Sequence, residues 1–139
     1  MDFVDGRVKI LVELKGTDTA APLAEVLKKY IAKKNWNSQD FLVASFNHNE
    51  LLKFKRLRPQ IKAGLIFRNI PKENKDVEEK IKQVDYVVIP YKFVTAEFVD
   101  RMHKKGLYVG VYTVNTKVEY DCARRLNIDI VATDYPDKI

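Results

Sequence analysis

The sequence predicts an α/β protein whose strands run parallel in one sheet. Short apolar runs rich in Val, Ile and Phe alternate with amphipathic stretches long enough for helices, which is the pattern of successive βα units. The last five predicted strands start 21, 22, 23 and 21 residues apart, and this spacing indicates one structural unit repeated along the chain. Crossovers of this kind give either an open, doubly wound sheet or most of a barrel. The six strands are predicted to begin near Val8, Phe41, Lys62, Val84, Leu107 and Ile128.

The first two helices have recognisable starts. The segment from Asp18 to Pro22 opens the first helix, because a proline early in a helix loses no hydrogen bond. Asn47 followed by Glu50 resembles a capping box for the second helix, which Pro59 ends. The inward stripes are predicted to be Leu23, Val26, Leu27, Tyr30 and Ile31 on the first helix, and Leu51, Leu52 and Phe54 on the second.

The three later helices also carry start or stop signals. Pro71 is predicted to start the third helix. Thr95 is a candidate cap for the fourth, which Gly106 ends. Thr116 with Glu119 forms a capping box for the fifth helix, directly after the strand predicted over 107–113.

The composition is that of one soluble globular domain spanning 1–139. Of the 139 residues, 46% are hydrophobic and 32% are charged. No apolar run approaches the roughly 20 residues of a membrane-spanning helix, and the first residues lack the features of a signal peptide. We therefore expect a cytoplasmic protein. The single cysteine, Cys122, has no partner for an internal disulfide and is expected to be a small buried residue.

The net charge of +6 raises the question of a polyanionic partner. The basic residues fall late in the predicted helices, where cations complement the helix dipole. In a βα architecture these helix ends lie opposite the carboxyl ends of the strands. This placement argues against nucleic-acid binding, and a small basic interaction domain remains a minor alternative. The cations in question are Lys28, Lys29, Lys33, Lys34, Lys53, Lys55, Arg56, Arg58, Arg101, Lys104, Lys105, Arg124 and Arg125.

Polar residues gather at the carboxyl ends of the strands, which is the functional face of barrels and open sheets alike. Glu13 and Lys15 are two residues apart on a strand and therefore project to the same side. They form either a strand-end salt bridge on a solvated rim or part of a metal or phosphate site. No glycine-rich nucleotide-binding loop is present. The other polar residues at predicted strand ends are Ser45, Asn47, Lys92, Thr113, Asn115 and Asp134.

Five segments carry a resemblance to a known family. Residues 12–16, Val-Glu-Leu-Lys-Gly, are similar to an Ile-Glu-Leu-Lys segment, and residues 44–47, Ala-Ser-Phe-Asn, to a Ser-Ser-Phe strand. Residues 63–66 resemble a Leu-Gly-Leu-Leu strand, residues 111–115 a Trp-Thr-Val-Asn strand, and residues 130–136 a closing Ile-Ile-Thr-Asp-x-Pro segment. In order and spacing the chain resembles the carboxyl-terminal two thirds of the glycerophosphodiester phosphodiesterases, which are phosphatidylinositol-phosphodiesterase-like TIM barrels.

The resemblance implies a partial TIM (β/α) barrel whose six strands match the last six of the family barrel. It also implies metal-dependent hydrolysis of glycerophosphodiesters, small phosphodiester substrates of lipid metabolism, to glycerol 3-phosphate and an alcohol. Glu13 would be a ligand of the divalent cation, Mg²⁺ or Ca²⁺, and Lys15 the catalytic cation that faces the substrate. The substrate pocket would include Ser45, Tyr112, Asn115 and Asp134.

The chain also departs from the family pattern. The His-Arg-Gly, Glu-Asn-Thr, Glu-x-Asp and His-Asp segments are missing, and the resemblance implies that these supply two histidines and two of three metal carboxylates. Neither His48, expected to be neutral and exposed near a helix start, nor His103, late in the fourth helix, is a predicted replacement. We therefore expect weak cation binding and little or no activity from this chain alone. The alternative is a non-catalytic barrel fragment that acts as a binding or scaffold element.

Six strands do not close a barrel of eight. The first and last strands, 8–14 and 128–133, are expected to form long apolar edges that invite pairing. Three outcomes follow from this: association with a second copy, completion by strands of another chain, or collapse into a smaller closed barrel.

Overall fold

The computed structural model of the chain describes residues 7–33 and 36–138. The amino-terminal residues used to argue against a signal peptide, and Lys34 among the predicted helix-closing cations, lie outside the described residues. Within the described ranges, no helix has the length and apolar character needed to cross a bilayer.

One six-stranded parallel sheet organises the chain, with its strands in simple sequence order. A doubly wound sheet would reverse its strand order at one point, so this order identifies an open part of a barrel. The strands are β1 (Ile10–Glu13), β2 (Phe41–Ser45), β3 (Lys62–Ile66), β4 (Tyr86–Pro90), β5 (Tyr108–Tyr112) and β6 (Ile130–Val131). The helices are α1 (Ala20–Ile31), α2 (His48–Leu57), α3 (Lys75–Ile81), α4 (Ala96–Lys104) and α5 (Lys117–Arg125).

The two edges of the sheet differ from the prediction. In the described part of the chain, β1 pairs only with β2 and β6 only with β5, so the third of the predicted alternatives, collapse into a smaller closed barrel, is wrong. The edges are also shorter than predicted, because β1 has four residues and β6 only two. Residues 8–9 and 128–129 precede the observed strands rather than extending them.

Alternate strand residues face the helices or the concave side of the sheet, which gives the protein two apolar layers. The helix-facing core includes Val43, Leu65, Val87 and Val109 from the strands and Leu27, Leu51 and Phe98 from the helices. The concave layer consists of Ala44, Ile66, Tyr86 and Val88, with Leu42, Phe46, Tyr112 and Ile130 packed against it. The concave layer ends at the carboxyl ends of the strands, where the predicted site residues lie.

Gly64 and Tyr86 make the closest contact in the concave layer. They are paired across β3 and β4, and a Cβ on Gly64 would lie 2.1 Å from the Tyr86 ring. Tyr86 is fully buried, and its hydroxyl donates to the carbonyl oxygen of Val43 at 2.9 Å. Burial raises the pKa of the Tyr86 phenol. The absence of a side chain at Gly64 is therefore what admits the ring.

The first and third helices depart in detail from the prediction. Val26 is 42% exposed, so its place in the inward stripe is wrong, and Ala20 and Ala24 are buried instead. These small residues allow α2 to approach closely, and Arg58 at the end of α2 donates to the carbonyl of Ala24 at 3.0 Å. The third helix begins after Asn74, whose side chain accepts from the backbone of the first turn, and not at Pro71.

The predicted capping box at the second helix is half correct. The Asn47 side chain accepts from the backbone N–H of Glu50 at 3.2 Å. The Glu50 carboxylate does not return to Asn47, whose N–H already donates to the Ser45 hydroxyl at 2.9 Å. It turns to the neighbouring helix and accepts from the N–H groups of Thr19 and Ala20, both at 3.1 Å. The buried Glu50 of α2 thus caps the amino-terminal end of α1.

The starts predicted for the fourth and fifth helices, and the end predicted for the fourth, are confirmed. Thr95 caps α4, and Gly106 follows that helix with a φ of 77°, in the left-handed region that glycine favours. Thr116 and Glu119 form both bonds of a capping box at α5. Cations also occupy the last turns, as predicted for α1, α2, α4 and α5.

Two aspartates repeat one arrangement at the amino-terminal face of the sheet. Asp85 accepts from the Lys55 ammonium at 2.6 Å and from a backbone N–H of β3 at 2.8 Å. Asp129 accepts from a backbone N–H of β5 at 2.8 Å and lies 2.9 Å from Nε2 of His103. His103 is therefore far from the strand mouths, as expected, and supports the opposite face of the sheet. Cys122 is half-buried and free, less enclosed than predicted.

Candidate functional site

The predicted pair of charges lies at the carboxyl end of β1. The Lys15 ammonium is 3.5 Å from a carboxylate oxygen of Glu13. The Glu13 side chain is 30% exposed and that of Lys15 is 79% exposed. An ion pair this open to water adds little to stability, and both of its groups remain accessible to a ligand.

Ser45 is placed to hold the backbone of the site. Its side chain is fully buried at the end of β2. The hydroxyl donates to the carbonyl of Leu14 at 2.6 Å and accepts from the N–H of Asn47 at 2.9 Å. These bonds tie the turn that carries Lys15 to the start of α2. The hydroxyl is thus engaged within the protein, and its contact with substrate stays a prediction.

Tyr112, at the end of β5, forms an aromatic wall together with Phe46. Its hydroxyl donates to the carbonyl of Phe67 at 3.0 Å, and its ring meets that of Phe46 edge-on at 6.0 Å between centroids. Burial raises the pKa of the Tyr112 phenol, the positive charge of Arg68 opposes this shift, and the negative charge of Glu13 adds to it. Tyr112 therefore lies within electrostatic reach of both charged residues.

Asn115 and Asp134 join the loops that follow β5 and β6. The Asn115 amide donates to the Asp134 carboxylate at 2.9 Å, and its oxygen accepts from the Asp134 N–H at 3.0 Å. The backbone N–H of Asn115 in turn donates to Glu119, which helps to lower the pKa of that carboxyl group. Asp134 is exposed and Asn115 is half-buried at this side of the strand ends. Its contact with substrate also stays a prediction.

Arg68 is a charged residue of this face that was not among the site residues predicted from the sequence. It follows β3 by two residues and has the same strand parity as Gly64 and Ile66. Its guanidinium carbon lies 4.6 Å from the centroid of the Phe46 ring. The only sequence signal was its position just beyond a predicted strand.

His48 lies at the same face, at the start of α2. It is half-buried rather than exposed as expected, and its ring packs edge-on against Phe67 at 4.7 Å. Its Nε2 lies 3.0 Å from the carbonyl oxygen of Ile66. Because a carbonyl can only accept, this contact assigns the proton to Nε2. His48 therefore fixes the start of α2 to the end of β3.

The described residues do not by themselves form a site for a divalent cation. Across 7–33 and 36–138, no three His, Cys, Asp or Glu side chains converge in a way that would hold a metal ion. Glu13 contributes one carboxylate, whereas Mg²⁺ and Ca²⁺ need several oxygen ligands. The ligands that Glu13 offers by itself are therefore too few to hold the cation.

Comparison with known proteins gives a consistent match. The model of the "Glycerophosphoryl diester phosphodiesterase family" matches residues 6–138. A glycerophosphodiester phosphodiesterase from Bacillus altitudinis is 27% identical over 132 residues, which cover 93% of this chain and 53% of that protein. The chain spans about half the length of the curated relatives it matches.

Solved structures show the same fold. A glycerophosphodiester phosphodiesterase from Thermotoga maritima superimposes with a TM-score of 0.69 and 26% identity over 96% of this chain and 57% of that one. A phosphodiesterase from Oleispira antarctica, in complex with the product sn-glycerol-3-phosphate, gives a TM-score of 0.70 and 24% identity. That match covers 98% of this chain and 49% of the other. The six strands thus correspond to part of a larger TIM barrel.

Proposed function

The chain belongs to the glycerophosphoryl diester phosphodiesterase family, and from this premise we propose that its strand-end site binds glycerophosphodiesters for hydrolysis to glycerol 3-phosphate and an alcohol. The observation that carries the proposal is the Glu13 and Lys15 pair, open to ligand at the carboxyl end of a barrel strand. The phosphodiesterase from Oleispira antarctica binds sn-glycerol-3-phosphate, which supports the same ligand here.

The proposed reaction breaks the bond between phosphorus and the alcohol oxygen. Water adds its hydroxyl to phosphorus and its second proton goes to the departing alcohol. The Lys15 ammonium is suited to bind the phosphoryl oxygens, whose negative charge shifts in the transition state. Glu13 lies 3.5 Å away and holds this ammonium near the end of β1. Ser45 fixes the turn between them through the carbonyl of Leu14.

Metal dependence belongs to this proposal in a limited form. We propose Glu13 as one ligand of a divalent cation, Mg²⁺ or Ca²⁺, whose other ligands come from outside the described residues. No step is assigned to the cation, because one carboxylate does not define a site. We accordingly expect weak cation binding and little or no turnover by this chain alone.

Binding of sn-glycerol 3-phosphate, measured by isothermal titration calorimetry, tests the proposal. We expect binding by the wild type that Lys15→Ala abolishes. Lys104→Ala is the matched control, since Lys104 is an exposed lysine late in α4, at the other face. No binding by the wild type, or equal binding by both variants, would contradict the assignment of Lys15.

A second candidate function is a non-catalytic binding or scaffold element. It is favoured by the lack of three converging metal ligands in the described part of the chain and by the engagement of His48 with the Ile66 carbonyl. Release of glycerol 3-phosphate from glycerophosphodiesters in Mg²⁺ or Ca²⁺ separates the two functions. Release that Glu13→Ala removes and Glu97→Ala preserves indicates an enzyme, because Glu97 is an exposed carboxylate on α4. Ligand binding without release at any cation concentration indicates the second function.

We also propose that a second copy of the chain covers the two sheet edges that have no partner strand among the described residues. Because β1 and β6 are opposite edges of a parallel sheet, β1 of one copy can add to β6 of another in the same direction. Such pairing would also shield Leu11 on β1, which is 49% exposed beside a concave groove of about 610 Å³. Size-exclusion chromatography with light scattering should find a dimer or larger species. A monodisperse monomer at high concentration would contradict this proposal.

A further inference from the structure

Arg68 is a cation at the functional face without an acidic partner in the described residues. Elsewhere in the chain, Arg58 pairs with Glu25 and Arg101 pairs with Glu73. No carboxylate within 7–33 and 36–138 comes within ion-pairing distance of Arg68. Its described contact is instead with the face of the Phe46 ring, at 4.6 Å. The guanidinium therefore retains donors that a ligand can use.

Arg68 lies at the same carboxyl-terminal face of the sheet as the proposed phosphate position and is linked to it through aromatic residues. Arg68 lies over Phe46, and Phe46 meets Tyr112 at 6.0 Å. The charges of Arg68 and Glu13 act in opposite directions on the pKa of the Tyr112 phenol. Glu13 in turn lies 3.5 Å from the Lys15 ammonium. If Lys15 binds the phosphoryl group, the rings of Tyr112 and Phe46 offer the remainder of the substrate a surface that leads toward Arg68. The guanidinium is thus placed to meet the alcohol portion of the diester.

The position of the guanidinium has a chemical consequence. An open aromatic face attracts a quaternary ammonium or ammonium group through its negative quadrupole. Arg68 already occupies the face of Phe46 with a positive charge, so it repels a second cation there. Its planar set of N–H donors instead suits hydroxyl, phosphate or carboxylate oxygens.

We propose that Arg68 selects the alcohol portion of the substrate, favouring neutral or anionic polyols over cationic amino alcohols. This inference rests on the proposed function, because it assumes that Lys15 binds the phosphodiester. The contact with Phe46 is exposed and weak, so the guanidinium can turn toward a ligand without loss of the fold. Tyr112 and Phe46 then form the apolar side of the same subsite.

The test compares two diesters that differ in head-group charge. Binding of glycerophosphoglycerol and of glycerophosphocholine is measured by calorimetry, with sn-glycerol 3-phosphate as the reference ligand. We expect the wild type to bind glycerophosphoglycerol about tenfold more tightly than glycerophosphocholine. In Arg68→Gln this ratio should fall close to one, through weaker binding of the polyol and stronger binding of the choline ester. Arg68→Lys should keep the discrimination against choline, because it keeps the charge.

Arg56→Gln is the matched control, since Arg56 is an exposed arginine late in α2 at the opposite face. It should leave the ratio unchanged, and unchanged thermal unfolding of Arg68→Gln should show that the fold is intact. A ratio that Arg68→Gln does not alter, or a wild type that prefers the choline ester, would overturn the role of Arg68 and leave the proposed function standing. If the wild type binds none of the three ligands, both proposals are overturned.

Discussion

Replacement of Gly64 by alanine is the change whose effect follows most directly from the concave layer. An added Cβ would lie 2.1 Å from Cε2 and 2.2 Å from Cδ2 of Tyr86. Since real Cβ atoms essentially never come within 3.0 Å of another heavy atom, the ring or strand β3 must move by roughly an ångström. The ring has little freedom to move, because it is fully buried and its hydroxyl is bonded to the Val43 carbonyl.

We expect Gly64→Ala to lower the free energy of unfolding by about 3 kcal/mol, the upper end of the usual cost of overpacking. Gly110→Ala is the matched control on the same face of the sheet. There an added Cβ would meet Val88 at 3.2 and 3.3 Å and Ile130 at 3.4 Å. Shifts of a few tenths of an ångström relieve these contacts, so the control should cost less than about 1 kcal/mol. Urea denaturation followed by circular dichroism measures both variants.

A double-mutant cycle identifies the cause of the loss. When Tyr86→Leu removes the ring, most of the cost of Gly64→Ala should disappear. Equal losses for the two glycine variants would refute the packing described for the concave layer. So would a cost of Gly64→Ala that stays the same in the Tyr86→Leu background.

Two further predictions concern side chains that join elements. The Lys53 ammonium and the backbone N–H groups at the start of α1 hold the pKa of Glu50 below its ordinary value of 4.5. The ionised Glu50 carboxylate therefore contributes its full stabilisation above pH 4.5, and this contribution is lost as the pH falls through the lowered pKa. Glu50→Gln should therefore be less stable than the wild type at neutral pH, with the difference in thermal midpoint narrowing below pH 4.5; a constant difference would contradict this. Tyr112→Phe removes the hydrogen bond to the Phe67 carbonyl and should lower the free energy of unfolding, measured by urea denaturation, by about 0.5–1.5 kcal/mol. An unchanged free energy of unfolding would show that this hydrogen bond does not stabilise the fold.

Local patterns predicted most of the secondary structure. Strand alternation placed Glu13 and Lys15 on one side of β1, and the structure brings their charged groups to 3.5 Å. The capping box at Thr116 formed as predicted, because all of its bonds are made within one turn. The same local reasoning failed at Pro71, because Asn74 offers a side-chain cap that proline does not.

The remaining features depend on contacts between distant residues. Glu50 caps a helix 30 residues earlier in the chain, and no spacing rule indicates that partner. Val26 lies on the predicted apolar stripe but faces solvent, because α1 turns its alanines toward α2. Arg68 was missed because its significance comes from Phe46 and Tyr112, which approach it only after the sheet has formed.

We propose that the phosphodiester site lies at the carboxyl ends of the strands. The most direct measurement is a titration of the isotope-labelled chain with sn-glycerol 3-phosphate, followed by amide chemical shifts. We expect the shifted signals to cluster at Lys15, Arg68 and Tyr112, while those of Asp85 and Asp129 at the opposite face stay unchanged. Shifts confined to the opposite face, or no shifts at millimolar ligand, would contradict it.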